Sequence, residues 1–162
     1  GTERKPAMKM LFRQRFFSWL DSYDVHAEDG TVLFTVKGVL SWRYTLKIFT
    51  PDGREAGMIK ARMITFPKPV FDLTVNGGAA GCITQEFSLF RPSFTLDFRN
   101  WKISGDWLGG NYRIMCGNTP VAVIAKRLWN LTDTYEIDVT DPEDALGALM
   151  VTLAIDAVKS SK

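Results

Sequence analysis

The run from Asp141 to Val158 restricts the fold more than any other part of the chain. Asp141 suits a helix N-cap, and Pro142 fits the first turn. Glu143 and Asp144 add negative charge where a helix dipole is positive. From Ala145 to Val158 only Thr152 and Asp156 are polar, and apolar residues occupy every side. A helix apolar all round is either a core element or a membrane span. The run is shorter than the ~20 residues a span needs, and Asp156 sits near its end. A buried helix is therefore expected, and the rest of the chain must form a shell that can surround a rod.

Upstream of Asp141 the pattern is β. Tyr44, Leu46 and Ile48 alternate with Arg43, Thr45 and Lys47. Phe71-Leu73-Val75, Phe94-Leu96-Phe98, Tyr112-Ile114-Cys116 and Tyr135-Ile137-Val139 repeat the alternation. A period of two with one apolar face marks half-buried strands. An aromatic residue opens each unit: Trp19, Trp42, Phe66, Phe90, Trp107 and Trp129. Turn signals follow at Asp29-Gly30, Asp52-Gly53, Asn76-Gly77-Gly78, Arg99-Asn100 and Gly117-Asn118. Tight hairpin turns need positive φ, which Gly, Asn and Asp tolerate best. Each unit is thus strand, turn, strand, recurring roughly every 22 residues. The sixth unit runs from Thr134 to Thr140 and passes directly into Asp141-Pro142.

One strand before Trp19, two in each of five units and one in the sixth make about twelve. So many short strands suggest a sandwich or a barrel. A barrel of that size is too wide for its own side chains to fill, and an all-apolar helix fills it. The expected class is all-β with one buried helix: an antiparallel meander barrel of about twelve strands closed around a central C-terminal hydrophobic helix. Residues 8–162 are read as one domain. Residues 1–7 are read as a tail or tag remnant, with Met8 a plausible native start.

The composition limits the chemistry. Hydrophobic residues make up 46% and charged ones 23%, a globular balance. A net charge of +2 gives no footing for bulk nucleic-acid binding. Cys82 and Cys116, with no secretory signal, suggest reduced, buried structural thiols in a cytoplasmic protein. His26 is the single histidine. It lies with Asp24 and Glu28 on what reads as the wet face of a strand, with Asp29 just beyond, so no metal site is expected. Asp138, Asp141, Glu143 and Asp144 cluster, but capping accounts for three of them. No G-x-S-x-G elbow or G-x-x-x-x-G-K-[ST] phosphate loop occurs. No enzymatic activity and no cofactor are expected.

The basic residues are the remaining clue. Arg13 with Arg15, Arg43 with Lys47, and Lys60 with Arg62 share outward parity. Arg forks and Lys points bind phosphate groups. The competing reading is a solvated barrel exterior that discourages edge pairing.

Several segments together resemble the LURP-one-related family, which includes YxjI-like bacterial proteins and belongs with the tubby C-terminal-like folds. They are Phe17-Ser18-Trp19, Leu40-Ser41-Trp42, Ser88-Leu89-Phe90-Arg91-Pro92 and Leu128-Trp129, followed by Tyr135-Glu136-Ile137-Asp138. Asp141-Pro142-Glu143-Asp144 and the apolar run to Asp156 complete the set. The resemblance covers Met8 to Val158 and implies a twelve-stranded barrel threaded by a C-terminal hydrophobic helix. Tubby proteins bind phosphoinositides through basic residues, although no segment here matches that site residue by residue. By analogy of fold, the expected function is a non-enzymatic binding or scaffold module for anionic phospholipid headgroups. The ligand residues would be Arg13, Arg15, Arg43, Lys47, Lys60 and Arg62, and the protein would sit peripherally at the cytoplasmic membrane surface. The alternative is a protein–protein interaction module using exposed aromatics such as Trp19, Trp42 or Trp107.

Overall fold

A computed structural model describes residues 7–13, 22–39, 41–62, 69–87, 92–129 and 132–160. These form twelve strands: β1 (Met8–Arg13), β2 (Ser22–His26), β3 (Val32–Val39), β4 (Thr45–Phe49), β5 (Glu55–Ala61), β6 (Val70–Val75), β7 (Gly78–Phe87), β8 (Pro92–Asp97), β9 (Trp101–Asp106), β10 (Asn111–Cys116), β11 (Thr119–Trp129) and β12 (Thr132–Val139). A 3-10 turn, Pro142–Asp144, leads into the helix α1 (Ala145–Ser160). All twelve strands make one sheet in the order β8-β7-β6-β5-β4-β3-β2-β1-β12-β11-β10-β9. Pairing of β1 with β12, from Met8↔Val139 to Arg13↔Thr134, joins the two ends of the strand series. The sheet's two edges, β8 and β9, are consecutive in sequence. The result is a nearly closed antiparallel barrel.

A meander gives such a barrel two unlike ends. Odd-numbered strands run one way and even-numbered strands the other. The odd-to-even connections therefore collect at one end and the even-to-odd connections at the other. The even-to-odd connections are short turns. Asn76 and Gly77 both have positive φ, at 50° and 81°, as a primed two-residue turn requires. Arg99 and Asn100 adopt the same form, at 53° and 56°. The opposite end carries the odd-to-even connections, among them the one that includes 41–44 and the one at 107–110. We call these the turn end and the loop end.

The helix enters at the turn end. Asp141 caps the 3-10 turn that leads into it, accepting from the Glu143 amide at 3.0 Å. Ala148, Leu149, Met150, Val151 and Ala154 are fully buried, facing Met10, Ile48, Ile59, Ile83, Ile114 and Ile137 from the barrel wall. Burying a side chain such as Leu149 contributes about 1.5–3 kcal/mol. Glycines let wall and rod approach. A Cβ on Gly57 in β5 would stand 3.0 Å from Met150 Sδ, and one on Gly147 would stand 2.8 Å from the Trp101 ring. The seam between β8 and β9 is closed by aromatic pairs rather than by a ladder. Phe94 meets Trp107 edge-on at 4.7 Å, and Phe98 meets Trp101 edge-on at 5.1 Å.

Two expectations are corrected. Trp107 is buried, because it continues the inward parity of Trp101 and Ile103 and packs on Phe94. The cysteines are not buried core thiols. Cys82 is half-buried, in register with Asp72 and Asp97, while Cys116 ends β10 at a turn and is exposed.

Candidate functional site

The structure divides the basic residues by their partners. Lys47, mid-way along β4, pairs with Glu55 at 3.0 Å. Arg62, just beyond β5, forks onto Asp72: its Nε lies 3.1 and 3.0 Å from the two oxygens and its Nη2 2.8 Å from Oδ1. That hydrogen-bonded carboxylate, more than any other influence, raises the pKa of the guanidinium. Both charges are largely answered within the protein.

Arg13, Arg43 and Lys60 differ. None has a carboxylate within 4.0 Å among the described residues. Arg13 ends β1 and is exposed. Arg43 is exposed in the β3–β4 loop, whose backbone is tied down at both sides. The Arg43 amide donates to Ser41 Oγ at 3.1 Å, and Thr45 Oγ1 donates to the Arg43 carbonyl at 2.9 Å. Lys60 stands opposite Thr45 in the β4–β5 register. The topology gathers Arg13, Arg43, Lys60 and Arg62 at the loop end and leaves Lys47 on the flank. Arg15 lies outside the described residues.

Sequence reasoning missed Arg127 and Lys159. Arg127 lies near the loop-end terminus of β11, and Lys159 in the last turn of α1. A signal for Arg127 was present. Basic residues flank the unit-opening aromatics, as Arg43 follows Trp42 and Arg127 precedes Trp129.

Inside the loop end lies a polar cluster. Asp156 is 8% exposed, and Tyr135 donates to its Oδ1 at 3.1 Å. Lys159 Nζ in turn donates to the Tyr135 hydroxyl at 2.9 Å and lies 5.4 Å from the same ring's centre. Burial, and secondarily the Asp156 charge, pushes the Tyr44 phenol well above its usual range. Tyr112 is raised by the same burial, beside Thr152 and near Asp156. The Tyr112 hydroxyl has no well-aligned partner, while Thr152 donates to the Ala148 carbonyl at 2.8 Å. A charge this enclosed must be hydrogen-bonded to be tolerated, and Tyr135, itself held by Lys159, supplies one such bond.

Other polar groups are committed elsewhere. Asp24 accepts from Thr35 at 3.0 Å, Glu28 meets Lys9 at 3.5 Å, and His26 Nδ1 lies 3.0 Å from the Ala27 carbonyl. No group of three metal-ligating side chains converges among the described residues. A shallow groove of about 350 Å³ runs over the outer face of β9–β11, lined by Ser104, Asn111, Arg113 and Val123. No helix among the described residues is long and apolar enough to cross a membrane.

The LURP-one-related family model matches residues 8–156. The chain belongs to the LURP-one-related family. Among curated relatives it is 20% identical over 152 residues to the uncharacterized protein YxjI of Bacillus subtilis strain 168, covering 93% of each chain. Among solved structures it resembles the X-ray structure of an Arabidopsis thaliana protein with a TM-score of 0.61 and 15% identity. That match covers 94% of this chain and 91% of the other. The likeness fixes the LURP-one-related barrel as the fold, as the sequence reading expected.

Proposed function

We propose that this LURP-one-related protein is a non-catalytic binding module for anionic phospholipid headgroups, phosphoinositides included. The observation that favours this reading is the set of unpartnered cations. Arg13, Arg43 and Lys60 have no carboxylate within 4.0 Å among the described residues and share one end of the barrel. Unpaired cations on a surface of low net charge attract anions without the cost of breaking existing ion pairs. Lys47 and Arg62, each held by a carboxylate, contribute less.

A second reading, a protein–protein interaction module, draws on Trp42, which is fully exposed. Co-sedimentation distinguishes the two. Liposomes containing phosphoinositide should carry the protein down at low salt, neutral liposomes should not, and high salt should release it. Equal or absent binding to both kinds of liposome sinks the lipid reading.

A further inference from the structure

Ionised side chains sort by barrel end. The turn end carries Glu28, Asp29, Asp52, Asp141, Glu143 and Asp144, and the loop end carries Arg13, Arg43, Lys60, Arg62, Arg127 and Lys159. The sorting is not absolute. Glu86, Asp106, the buried Asp156 and Asp72, which holds Arg62, also lie toward the loop end. Lys9, Arg54, Arg99 and Lys102 lie toward the turn end, where Lys9 meets Glu136 at 3.0 Å and Arg99 meets Asp144 at 3.5 Å. The excess at each end is nevertheless of opposite sign. With a net charge of only +2, this polarity along the axis is what orients the molecule in an external field.

Exposed apolar groups follow the same axis. Among the described residues three large ones are exposed: Trp42, Leu108 and Val123, at 103%, 55% and 40%. Trp42 lies between β3 and β4, and Leu108 between β9 and β10, so both stand at the loop end. In the strand order, six steps separate the β4–β3 neighbours from the β10–β9 neighbours in a ring of twelve. Trp42 and Leu108 therefore occupy opposite sides of one rim. Val123 is on the barrel's flank, in β11. A surface touching the flank meets at most one of the rim residues, whereas a flat surface meeting the loop end meets both.

We propose that the loop end docks face-on to an anionic phospholipid bilayer, with Trp42 and Leu108 as opposed apolar footings in the headgroup layer. This rests on the headgroup reading above and adds an orientation and an insertion. Trp carries an apolar ring with a polar N–H, the combination that sits at membrane interfaces. Arg13, Arg43 and Lys60, which have no carboxylate within 4.0 Å among the described residues, face the lipid phosphates, and the acidic turn end points to water. A partner of this chemistry, flat, apolar just below a negatively charged skin, fits both the charge sorting and the opposed footings.

The test uses the full chain, with vesicles of phosphatidylcholine doped with phosphatidylserine. Trp42→Ser should lower partitioning on the order of tenfold and Leu108→Ser by a smaller factor. Val123→Ser should leave it unchanged, and Trp42→Phe should restore most of the loss. Lipids brominated on the acyl chains near the headgroup should quench wild-type tryptophan emission more than that of Trp42→Phe. Trp42 is fully exposed, so its truncation does not disturb the core.

If the vesicles still sediment the protein but respond to Val123→Ser and not to Trp42→Ser or Leu108→Ser, face-on docking is wrong and the headgroup reading stands. If no vesicle binds, both fall. If Trp42→Ser instead breaks a self-association seen by light scattering and leaves vesicle binding intact, the rim is a contact between copies, and the membrane footing is overturned.

Discussion

The hydroxyl of Tyr135 donates to Oδ1 of Asp156 across 3.1 Å inside the barrel, tying β12 to the last turns of α1. Along most of its length the rod meets the wall through apolar side chains, and apolar packing is not directional. A directed bond from a buried tyrosine to a buried carboxylate fixes the depth and angle of the helix. Tyr135→Phe keeps the packing and removes the donor, so Asp156 has one hydrogen bond fewer. The expected loss is about 1–3 kcal/mol by urea denaturation. In a double-mutant cycle with Asp156→Asn, the second substitution should cost less in the Tyr135→Phe background. A neutral Tyr135→Phe would show that the bond does not hold the helix.

Glu136 makes acid stability depend on one cluster. Its carboxylate receives Lys9 at 3.0 Å and Arg127 at 3.3 Å, and the Lys9 hydrogen bond is the largest cause of its lowered pKa. A folded-state pKa below the ordinary 4.5 means that the unfolded chain takes up the proton first as pH falls. The stability that Glu136 supplies is thus complete above 4.5 and is lost as pH drops through the lowered folded value. Glu136→Gln removes this contribution. The gap between wild type and variant should be widest at neutral pH and shrink as unfolding is repeated at acidities below 4.5. A constant gap at every pH would refute the assignment.

Gly147 is the point where the rod passes under the seam. A Cβ there would stand 2.8 Å from Cη2 of Trp101 and 3.0 Å from Cε1 of Phe98. Those rings are pinned edge-on against each other, with the Arg99 guanidinium 4.8 Å from the Phe98 ring centre. They cannot give way cheaply. Helix propensity alone favours any ordinary residue over Gly, so the two effects have opposite signs. Gly147→Val should destabilise by about 1–3 kcal/mol despite its better propensity. A stabilised variant would show that the seam is loosely packed.

The fold was legible because its signals are local. The helix carries its own cap and composition, and the turn pairs carry the backbone angles that hairpins need. Even Arg99-Asn100, which lacks glycine, took the positive φ that its spacing demanded. Trp107 was misjudged because its place at the head of a unit outweighed its parity, although Trp101 and Ile103 already marked its face as inward. Cys116 shares parity with Ile114 but lies where the strand leaves the core, and parity does not report depth along a strand. The surface was less legible for the same reason. Outward parity grouped Arg43 with Lys47 and Lys60 with Arg62. Which lysine or arginine meets a carboxylate depends on the register, Glu55 reaching Lys47 across one hairpin and Asp72 reaching Arg62 across the next connection.

That division of partners yields the last prediction. If headgroup binding depends on cations free to leave the protein's own carboxylates, the six basic candidates should not weigh equally. Each free Lys or Arg near an anionic surface contributes about 1 kcal/mol, close to a fivefold change in affinity. Arg43→Ala and Lys60→Ala should each reduce binding to anionic vesicles by roughly that factor, and together by their product. Lys47→Ala and Arg62→Ala should have smaller effects. Their charges are already paired at 3.0 and 2.8 Å, so neither is free to meet a headgroup phosphate. Titration of the four variants against one vesicle composition at fixed salt checks the ranking. Equal losses from all four would mean that the membrane reads overall charge, and that the pairing of Lys47 and Arg62 has no bearing on recognition.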